Sequence, residues 1–168
     1  MIEFSTTLVE IAGLNIIRVP PDISALFPSR GMVMAKLFQM GMEFIVALEP
    51  DGKGSHWFEL EEDSCLSPGD HVTCRLDILE AWTDPPVPPD LQMALKDQGH
   101  WEFWNSLTPK ARWEWIRWIR STSNQETRQK RLGVANSKMA AGDRRPCCFD
   151  SSRCTVPSVM KNGVLRET

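Results

Sequence analysis

Between Trp101 and Arg131 the chain combines tryptophan and arginine at a density that could form a binding site. Five of the seven tryptophans lie in this segment, and a run of arginines accompanies and follows them. Guanidinium groups bind carboxylates and phosphates through paired hydrogen bonds, and tryptophan rings attract cations over their faces. We therefore predict that the segment binds a protein or an anionic ligand. The residues selected for this role are Arg112, Trp113, Arg117, Trp118, Arg120, Glu126, Thr127, Arg128 and Arg131.

Two of these arginines interrupt helix faces that are otherwise apolar. Arg112 falls on the apolar arc of a helix predicted over residues 109–122, and Arg128 falls on the apolar stripe of the next helix. An unpaired guanidinium would cost several kcal/mol in such a place, so both need an acidic or carbonyl partner. Glu114, Glu126 or an acid of the N-terminal region could serve. We expect either internal salt bridges that fix helix docking or a pocket for an anionic ligand.

The same helical projection turns the remaining basic residues outward. Arg117, Arg120 and Arg131 fall on outer faces, and Trp113 lies beside the first two. A basic helical face with an exposed tryptophan is typical of proteins that bind nucleic acid or an anionic membrane surface. More often such a face is solvated or meets an acidic region of the same chain.

No arrangement typical of a catalytic or metal site stands out in the sequence. The three histidines are scattered over two predicted strands and a helix start: His56, His71 and His100. Three cysteines near the end of the chain lack the C-x-x-C spacing of zinc sites: Cys147, Cys148 and Cys154. We therefore predict no catalytic residue, no metal ligand and no cofactor.

Charge is distributed unevenly along a chain of ordinary globular composition, in which 42% of the residues are hydrophobic. Residues 1–104 carry 6 Lys and Arg against 17 Asp and Glu, whereas residues 105–168 carry 13 against 5. This asymmetry indicates either that the two halves dock on each other or that the basic half meets an anionic partner.

A cytoplasmic location is expected from the sequence. The N-terminal residues lack the basic and apolar regions of a secretory signal, and no stretch approaches the roughly 18 to 20 apolar residues that span a bilayer. Five unevenly spaced cysteines are typical of reduced thiols rather than of a disulfide framework.

The elements that would position these residues begin with a strand-rich region over residues 1–82. Short apolar or alternating runs predict six strands there: Glu3–Glu10, Leu14–Val19, Met32–Gln39, Glu43–Glu49, His56–Leu60 and His71–Leu79. Met40-Gly41 is typical of a tight hairpin turn between two of them. Six short strands at this spacing predict a small β-barrel or a β-sandwich.

Four prolines in residues 83–90 predict a stiff linker, and the signals beyond it are helical over residues 91–145. Thr108 with Pro109 predicts the start of one helix, and a capping box of Ser123 and Glu126 predicts the start of the last. Residues 146–168 show no periodicity, so a flexible cysteine-containing tail is expected there.

Several short motifs occur together in the helical region: Leu107-Thr108-Pro109, Glu114, Trp118-Ile119 and Glu126-Thr127-Arg128 with Arg131. This set resembles the C-terminal motif of the YdeI or OmpD-associated family, also called bacteriocin-protection proteins. Residues 1–82 are similar to a small domain of unknown function often fused ahead of that motif. The resemblance implies an α+β protein with a double-split β-barrel of the AbrB and MazE type. It also implies a link to envelope stress or antimicrobial-peptide tolerance, and no established reaction.

The function that we predict is binding without catalysis, by an acidic barrel joined to a basic, tryptophan-rich helical unit. Two alternatives stay open. The AbrB-like barrel could make the protein a nucleic-acid-binding regulator, although such proteins present basic strands and this barrel is acidic. A small-molecule or enzymatic pocket could instead lie between barrel and helices. The edge strands of the barrel could also pair two copies as a homodimer.

Overall fold

The computed structural model describes residues 1–61 and 65–168, which fall into two compact units. The first unit comprises residues 1–81, 151–154 and 158–168, and the second comprises residues 82–150 and 155–157. Strands form most of the first unit and helices form the second, so the predicted α+β class is confirmed.

Seven strands form one antiparallel sheet in the first unit: β1 (Ile2–Thr7), β2 (Val9–Ile11), β3 (Leu14–Arg18), β4 (Val33–Gln39), β5 (Met42–Pro50), β6 (His56–Glu59) and β7 (His71–Ile78). Their order across the sheet is β1-β7-β4-β5-β6-β3-β2, and the sheet curls into a half-barrel. A short helix, α1 (Pro21–Ser24), follows β3. Alternate residues point into the concave side, as Val72, Cys74 and Leu76 do from β7, and together they form an apolar core.

The predicted strands agree with those observed except at the first one, which the structure divides at Leu8. The Leu8 N–H donates to the Asp70 carbonyl at 2.9 Å, and its own carbonyl accepts from the Gly69 N–H at 2.8 Å. Leu8 therefore takes its backbone partners from the turn before β7. The prediction of one continuous strand was wrong because these partners lie some sixty residues further along the chain.

The hairpin between β4 and β5 has the predicted two-residue turn. Gln39 pairs with Met42 across it, and both central residues have positive φ, 49° at Met40 and 78° at Gly41. Positive φ at both positions defines the type I′ turn, whose twist matches that of the flanking strands.

The last residues of the chain depart from the prediction of a flexible tail. Two short strands, β8 (Met160–Lys161) and β9 (Val164–Leu165), pair with each other, and the side chains of Val159 and Leu165 are buried. The Leu165 N–H donates to the Asp51 carbonyl at 2.8 Å, which attaches this hairpin to the first unit. Two-residue strands are too short for a periodic pattern, so sequence could not reveal them.

Four helices form the second unit: α2 (Pro89–Asp97), α3 (Trp101–Ser106), α4 (Pro109–Arg120) and α5 (Gln125–Ala140). Thr108 caps α4 as predicted, because its Oγ1 accepts from the Ala111 N–H at 3.1 Å. The capping box predicted at Ser123 is wrong by one residue. Asn124 is the cap of α5, and its Oδ1 accepts from the Thr127 N–H at 2.9 Å.

The proline segment belongs to the second unit, so the prediction of a spacer over residues 83–90 was wrong. Pro85 is buried, Val87 packs against the helical core, and α2 already begins at Pro89. The extended proline conformation makes no hydrogen bonds of its own, which leaves its carbonyl groups available to the helices.

Among the described residues no helix combines the length and apolar character needed to cross a membrane.

Candidate functional site

The Arg112 guanidinium is enclosed by protein oxygens. Nε donates to the Trp104 carbonyl at 3.1 Å, and Nη2 donates to the carbonyls of Asn105 and Leu107, both at 2.8 Å. Nη1 forms an ion pair with Asp84. The three carbonyls lie at the C-terminal end of α3, where a helix leaves its last acceptors unsatisfied and carries partial negative charge. The prediction of an internal salt bridge is therefore confirmed, with Asp84 as the partner.

Arg128 forms the second internal ion pair, with Asp90 in the first turn of α2. Its Nε and Nη2 donate to the two carboxylate oxygens at 2.7 and 2.9 Å, so the contact is bidentate. The hydrogen bonds from Arg128 lower the pKa of Asp90, and those to Asp90 raise the pKa of Arg128. This pair links α2 to α5 and confirms the structural interpretation of Arg128.

Arg131 closes the C-terminal end of α4. Its Nη1 donates to the Trp118 carbonyl and to the Ser121 hydroxyl, both at 2.8 Å, and the guanidinium lies 5.7 Å from the Trp118 ring centre. Trp118 in turn meets Trp115 edge to face at 6.0 Å. Burial lowers the pKa of Arg131. The prediction that this arginine points outward is therefore wrong. Its guanidinium instead donates to a carbonyl that the C-terminal end of α4 leaves without a partner inside the helix.

Trp113 and Arg117 are buried, with 9% and 2% of their surfaces exposed, which corrects the prediction of an exposed basic face. The Trp113 Nε1 donates to the Thr83 carbonyl at 2.8 Å, and the Arg117 guanidinium lies 5.3 Å from the Phe149 ring centre. The helical projection assumed one buried face on α4. Segments before and after the helices cover its other sides, so two residues assigned to solvent are inside.

The remaining predicted residues take three different positions. The Arg120 Nε donates to the Thr155 Oγ1 at 3.1 Å, and the side chain is partly buried. Thr127 contributes its backbone N–H to the cap of α5. Glu126 is exposed and pairs with Lys130 at 3.3 Å one turn further along α5. The structure thus distributes the nine residues over several internal contacts and does not gather them into one cleft.

A different surface, on the first unit, offers unpaired backbone groups along one side of β5. The Met34 carbonyl accepts from the Leu79 N–H. The backbone N–H and C=O groups of the even-numbered residues of β4 therefore point to β7, and those of the odd-numbered residues point to β5. The β4–β5 register pairs the odd-numbered residues of β4 with the even-numbered residues of β5. The backbone groups of the even-numbered residues of β5 therefore point to β4, and those of its odd-numbered residues point away from β4. Asp51, which directly follows β5, donates its N–H to the Ser55 carbonyl on the β6 side. This bond agrees with the assignment that odd-numbered residues direct their backbone groups away from β4.

Near the β4–β5 hairpin, the backbone N–H and C=O groups of β5 that point away from β4 have no backbone hydrogen-bond partner among the described residues. β6 pairs only with Glu49 and Pro50 of β5. The N–H and C=O groups of Glu43, Ile45 and Ala47 therefore form an open strand edge, which we call the β5 edge.

Exposed apolar side chains surround the β5 edge. Their exposed fractions are 66% for Met40, 51% for Met42, 37% for Phe44 and 55% for Ile45. The one charged residue in this run, Glu43, pairs with Lys36 at 3.1 Å on the neighbouring strand. Soluble monomers usually protect an exposed edge with lysine, proline or a bulge. Here the edge itself carries neither lysine nor proline.

A shallow cleft of about 200 Å³ lies elsewhere on the first unit, and His56 lines it. The His56 Nε2 donates to the Gly31 carbonyl at 2.8 Å, which leaves Nδ1 to accept from the Ser24 hydroxyl at 2.7 Å. Burial is the main cause that lowers the pKa of His56. Such a serine–histidine pair has the geometry of an activated nucleophile, but Ser24 has no exposed surface. Substrate cannot reach the hydroxyl, so the pair is structural.

Residues 84–142 match the family described as Bacteriocin-protection, YdeI or OmpD-Associated. The resemblance drawn from the sequence is confirmed over this segment. No curated protein matches the chain.

The matched segment begins at Asp84 and includes both ion pairs, Asp84 with Arg112 and Asp90 with Arg128. Sequence reasoning found both arginines and missed both acids. It proposed Glu114 as a partner, whereas Glu114 pairs with Arg145 at 3.5 Å. The proline-rich composition around the two acids predicts a linker, so it gives no indication that they pair with arginines of the helices.

The β5 edge lies outside the matched residues 84–142, and sequence analysis did not select it as a site. A signal for it exists in the unbroken apolar run Phe44-Ile45-Val46, where a half-exposed strand would alternate with polar residues.

Proposed function

We propose that the protein is a non-enzymatic binding protein that captures an extended, basic and apolar polypeptide segment as an additional strand on β5. In this proposal it acts in the cytoplasm and contributes to tolerance of bacteriocins or antimicrobial peptides. The observation that carries the proposal is the β5 edge, whose backbone groups lack partners among the described residues while apolar side chains surround them. Strand addition of this kind draws affinity from main-chain hydrogen bonds and specificity from alternate side chains.

The edge is long enough to hold a short peptide. An antiparallel strand opposite Glu43, Ile45 and Ala47 would make about six backbone hydrogen bonds, two with each residue. Its side chains would meet Phe44 and Ile45, which remain 37% and 55% exposed in the absence of a partner. Covering these groups removes apolar surface from water, and this favours an apolar guest.

Charge supports a basic guest. The segments of the first unit carry 8 Lys and Arg against 14 Asp and Glu, a net charge of −6. The segments of the second unit carry 11 against 8, so the first unit is the acidic one. An acidic surface accelerates association with cationic chains and disfavours anionic ones.

The arginines once expected to meet an anion do not support the anionic-ligand or nucleic-acid alternatives. Protein oxygens already engage the guanidinium groups of Arg112, Arg128 and Arg131. The family description refers to bacteriocin protection, and many antimicrobial peptides are cationic and amphipathic, which agrees with the guest proposed here. The five cysteines are free, a state typical of a reducing compartment.

The test is a fluorescence anisotropy titration of the full chain with two labelled synthetic peptides of equal length. One peptide alternates valine with lysine and the other alternates valine with glutamate. We expect the lysine peptide to bind more tightly, and its affinity to fall as salt is added. Equal binding of both peptides, or a preference for glutamate, would refute the basic guest.

Two substitutions at one position identify the binding edge. Ile45→Pro removes an N–H that points away from β4, so the β4–β5 ladder is retained and proline is tolerated. Ile45→Thr is the matched control, because it shortens the side chain but keeps the N–H. We expect the proline variant to bind the lysine peptide at least about tenfold more weakly, and the threonine variant to stay close to the wild type.

Equal affinity of both variants would mean that the peptide binds elsewhere. A second copy of the chain is the other possible occupant of the edge. Sedimentation would then show a wild-type dimer that Ile45→Pro converts to a monomer, in place of peptide binding.

A further inference from the structure

Two adjacent thiols lie at the tip of an exposed turn in the second unit. The Sγ atoms of Cys147 and Cys148 are 3.1 Å apart, and both residues are exposed. Cys148 has a φ of 59°, and the two cysteines are the central residues of the turn between Pro146 and Phe149. The hydrogen bond with Cys147 is the main cause that raises the pKa of the Cys148 thiol.

The turn is fixed on both sides. Before it, the Arg144 carbonyl accepts from the Trp115 Nε1 at 2.9 Å, and Pro146 is buried. After it, the Phe149 ring lies against the Arg117 guanidinium. The backbone thus presents both thiols together at the surface, so little conformational entropy remains to be lost when both sulfur atoms bind one centre.

The adjacent positions disfavour a direct disulfide and favour chelation. Neighbouring Cα atoms are about 3.8 Å apart across a trans peptide, whereas disulfides usually join Cα atoms about 4.4 to 6.8 Å apart. A bond between these two sulfur atoms would be strained and easily reduced. Two thiolates with bonds of about 2.3 Å to one centre stand about 3.3 Å apart near a right angle, as at pyramidal arsenic, and about 4.6 Å apart in a line, as at two-coordinate copper. Side-chain rotations bring the thiols from 3.1 Å to these separations.

We propose that Cys147 and Cys148 form a chelating dithiol site for a thiophilic centre that takes two thiolate ligands, as trivalent arsenic and monovalent copper do. Soft thiolate ligands select such centres over harder cations. With an organoarsenic oxide, both S–H bonds break and two As–S bonds form. The two protons leave with the oxide oxygen as water, and no change in oxidation state is needed.

Phenylarsine oxide is the first probe. The reduced full chain is mixed with one equivalent, washed with excess mercaptoethanol and examined by intact mass. We expect the wild type to retain one phenylarsenic unit, which 2,3-dimercaptopropanol then removes. Cys147→Ser and Cys148→Ser should each retain it at least about 100-fold more weakly, because one bond replaces a chelate. Cys65→Ser is the control, since Cys65 is an exposed thiol of the first unit.

Monovalent copper is the second probe, measured by competition with bathocuproine under reducing conditions. Retention of copper by the wild type and not by either serine variant of the turn would extend the site to that ion. Retention of the arsenical alone would restrict the site to trivalent centres. The proposal is overturned if neither probe distinguishes the wild type from Cys148→Ser, or if Cys65→Ser loses as much binding. Circular dichroism of each variant confirms that it is folded.

Discussion

Replacing Arg128 with alanine should lower the free energy of unfolding of the helical unit by about 2 kcal/mol. The guanidinium donates two charge-assisted hydrogen bonds to Asp90, and the side chains are 17% and 37% exposed. A surface ion pair contributes up to about 1 kcal/mol, whereas removing one partner of a buried pair costs about 3 to 5. The half-buried pair lies between these limits.

A double-mutant cycle isolates the interaction. Urea unfolding is followed by tryptophan fluorescence, because Trp104 and Trp115 are in the core of this unit. Arg128→Ala, Asp90→Ala and the double variant should give a coupling energy of about 1 to 2 kcal/mol. The control is the exposed pair of Glu126 and Lys130 on the same helix, 79% and 74% exposed, whose coupling should be several-fold smaller.

The dependence on pH provides a second readout of the same pair. Arg128 holds the pKa of Asp90 below its ordinary value of 3.8, so the folded state favours the carboxylate. The stabilisation is therefore complete above about pH 5 and is lost as pH falls through the lowered pKa. The deficit of Arg128→Ala should shrink accordingly at acid pH. A coupling no larger than that of the control pair, or a deficit that does not shrink as pH falls below 3.8, would refute the role of Arg128 as an anchor.

Two further predictions concern a helix cap and a buried histidine. Asn124→Ala should lower the free energy of unfolding in urea by about 1 kcal/mol, because the Asn124 side chain accepts from the Thr127 N–H. Ser123→Ala should leave it nearly unchanged. If Ser123→Ala were the more destabilising variant, Ser123 and not Asn124 would be the cap. Burial lowers the pKa of His56 below 6.5, so the unfolded chain takes up its proton first, and thermal stability should fall as pH decreases below about 6.5. His56→Gln should flatten that dependence, and a wild-type profile equally flat between about pH 5 and 7 would contradict it.

Local chemistry explains most of what the sequence could predict of the fold. The positive φ angles of Met40 and Gly41 belong to a turn that two adjacent residues define, and Thr108 caps α4 through a contact three residues away. Leu8 and the β8–β9 hairpin depend on partners far along the chain. The residues next to Leu8 and in the β8–β9 hairpin give no information about those distant partners, so no periodic pattern could have predicted either feature.

The same distinction separates the arginines. Arg112 and Arg128 interrupt apolar arcs, so the need for a partner could be deduced from a single helix. Arg117 could not be placed in this way. Its position beside Phe149 depends on a segment that follows α5, and a helical projection contains no information about such a segment.

The ion pairs also explain why the recognisable motif says little about a ligand. In each pair the acid comes from the proline segment or the start of α2, and the arginine comes from α4 or α5. Losing either acid would leave an arginine that is only 16% or 17% exposed without its carboxylate, so folding of the helical unit favours both pairs. The matched residues 84–142 contain all four of these residues, so the match reflects the fold of the helical unit. The β5 edge and the Cys147–Cys148 dithiol lie outside residues 84–142, and their apolar side chains and thiols are exposed. Substitutions at these two surfaces therefore change binding with the least effect on folding, and they distinguish the proposed functions most directly.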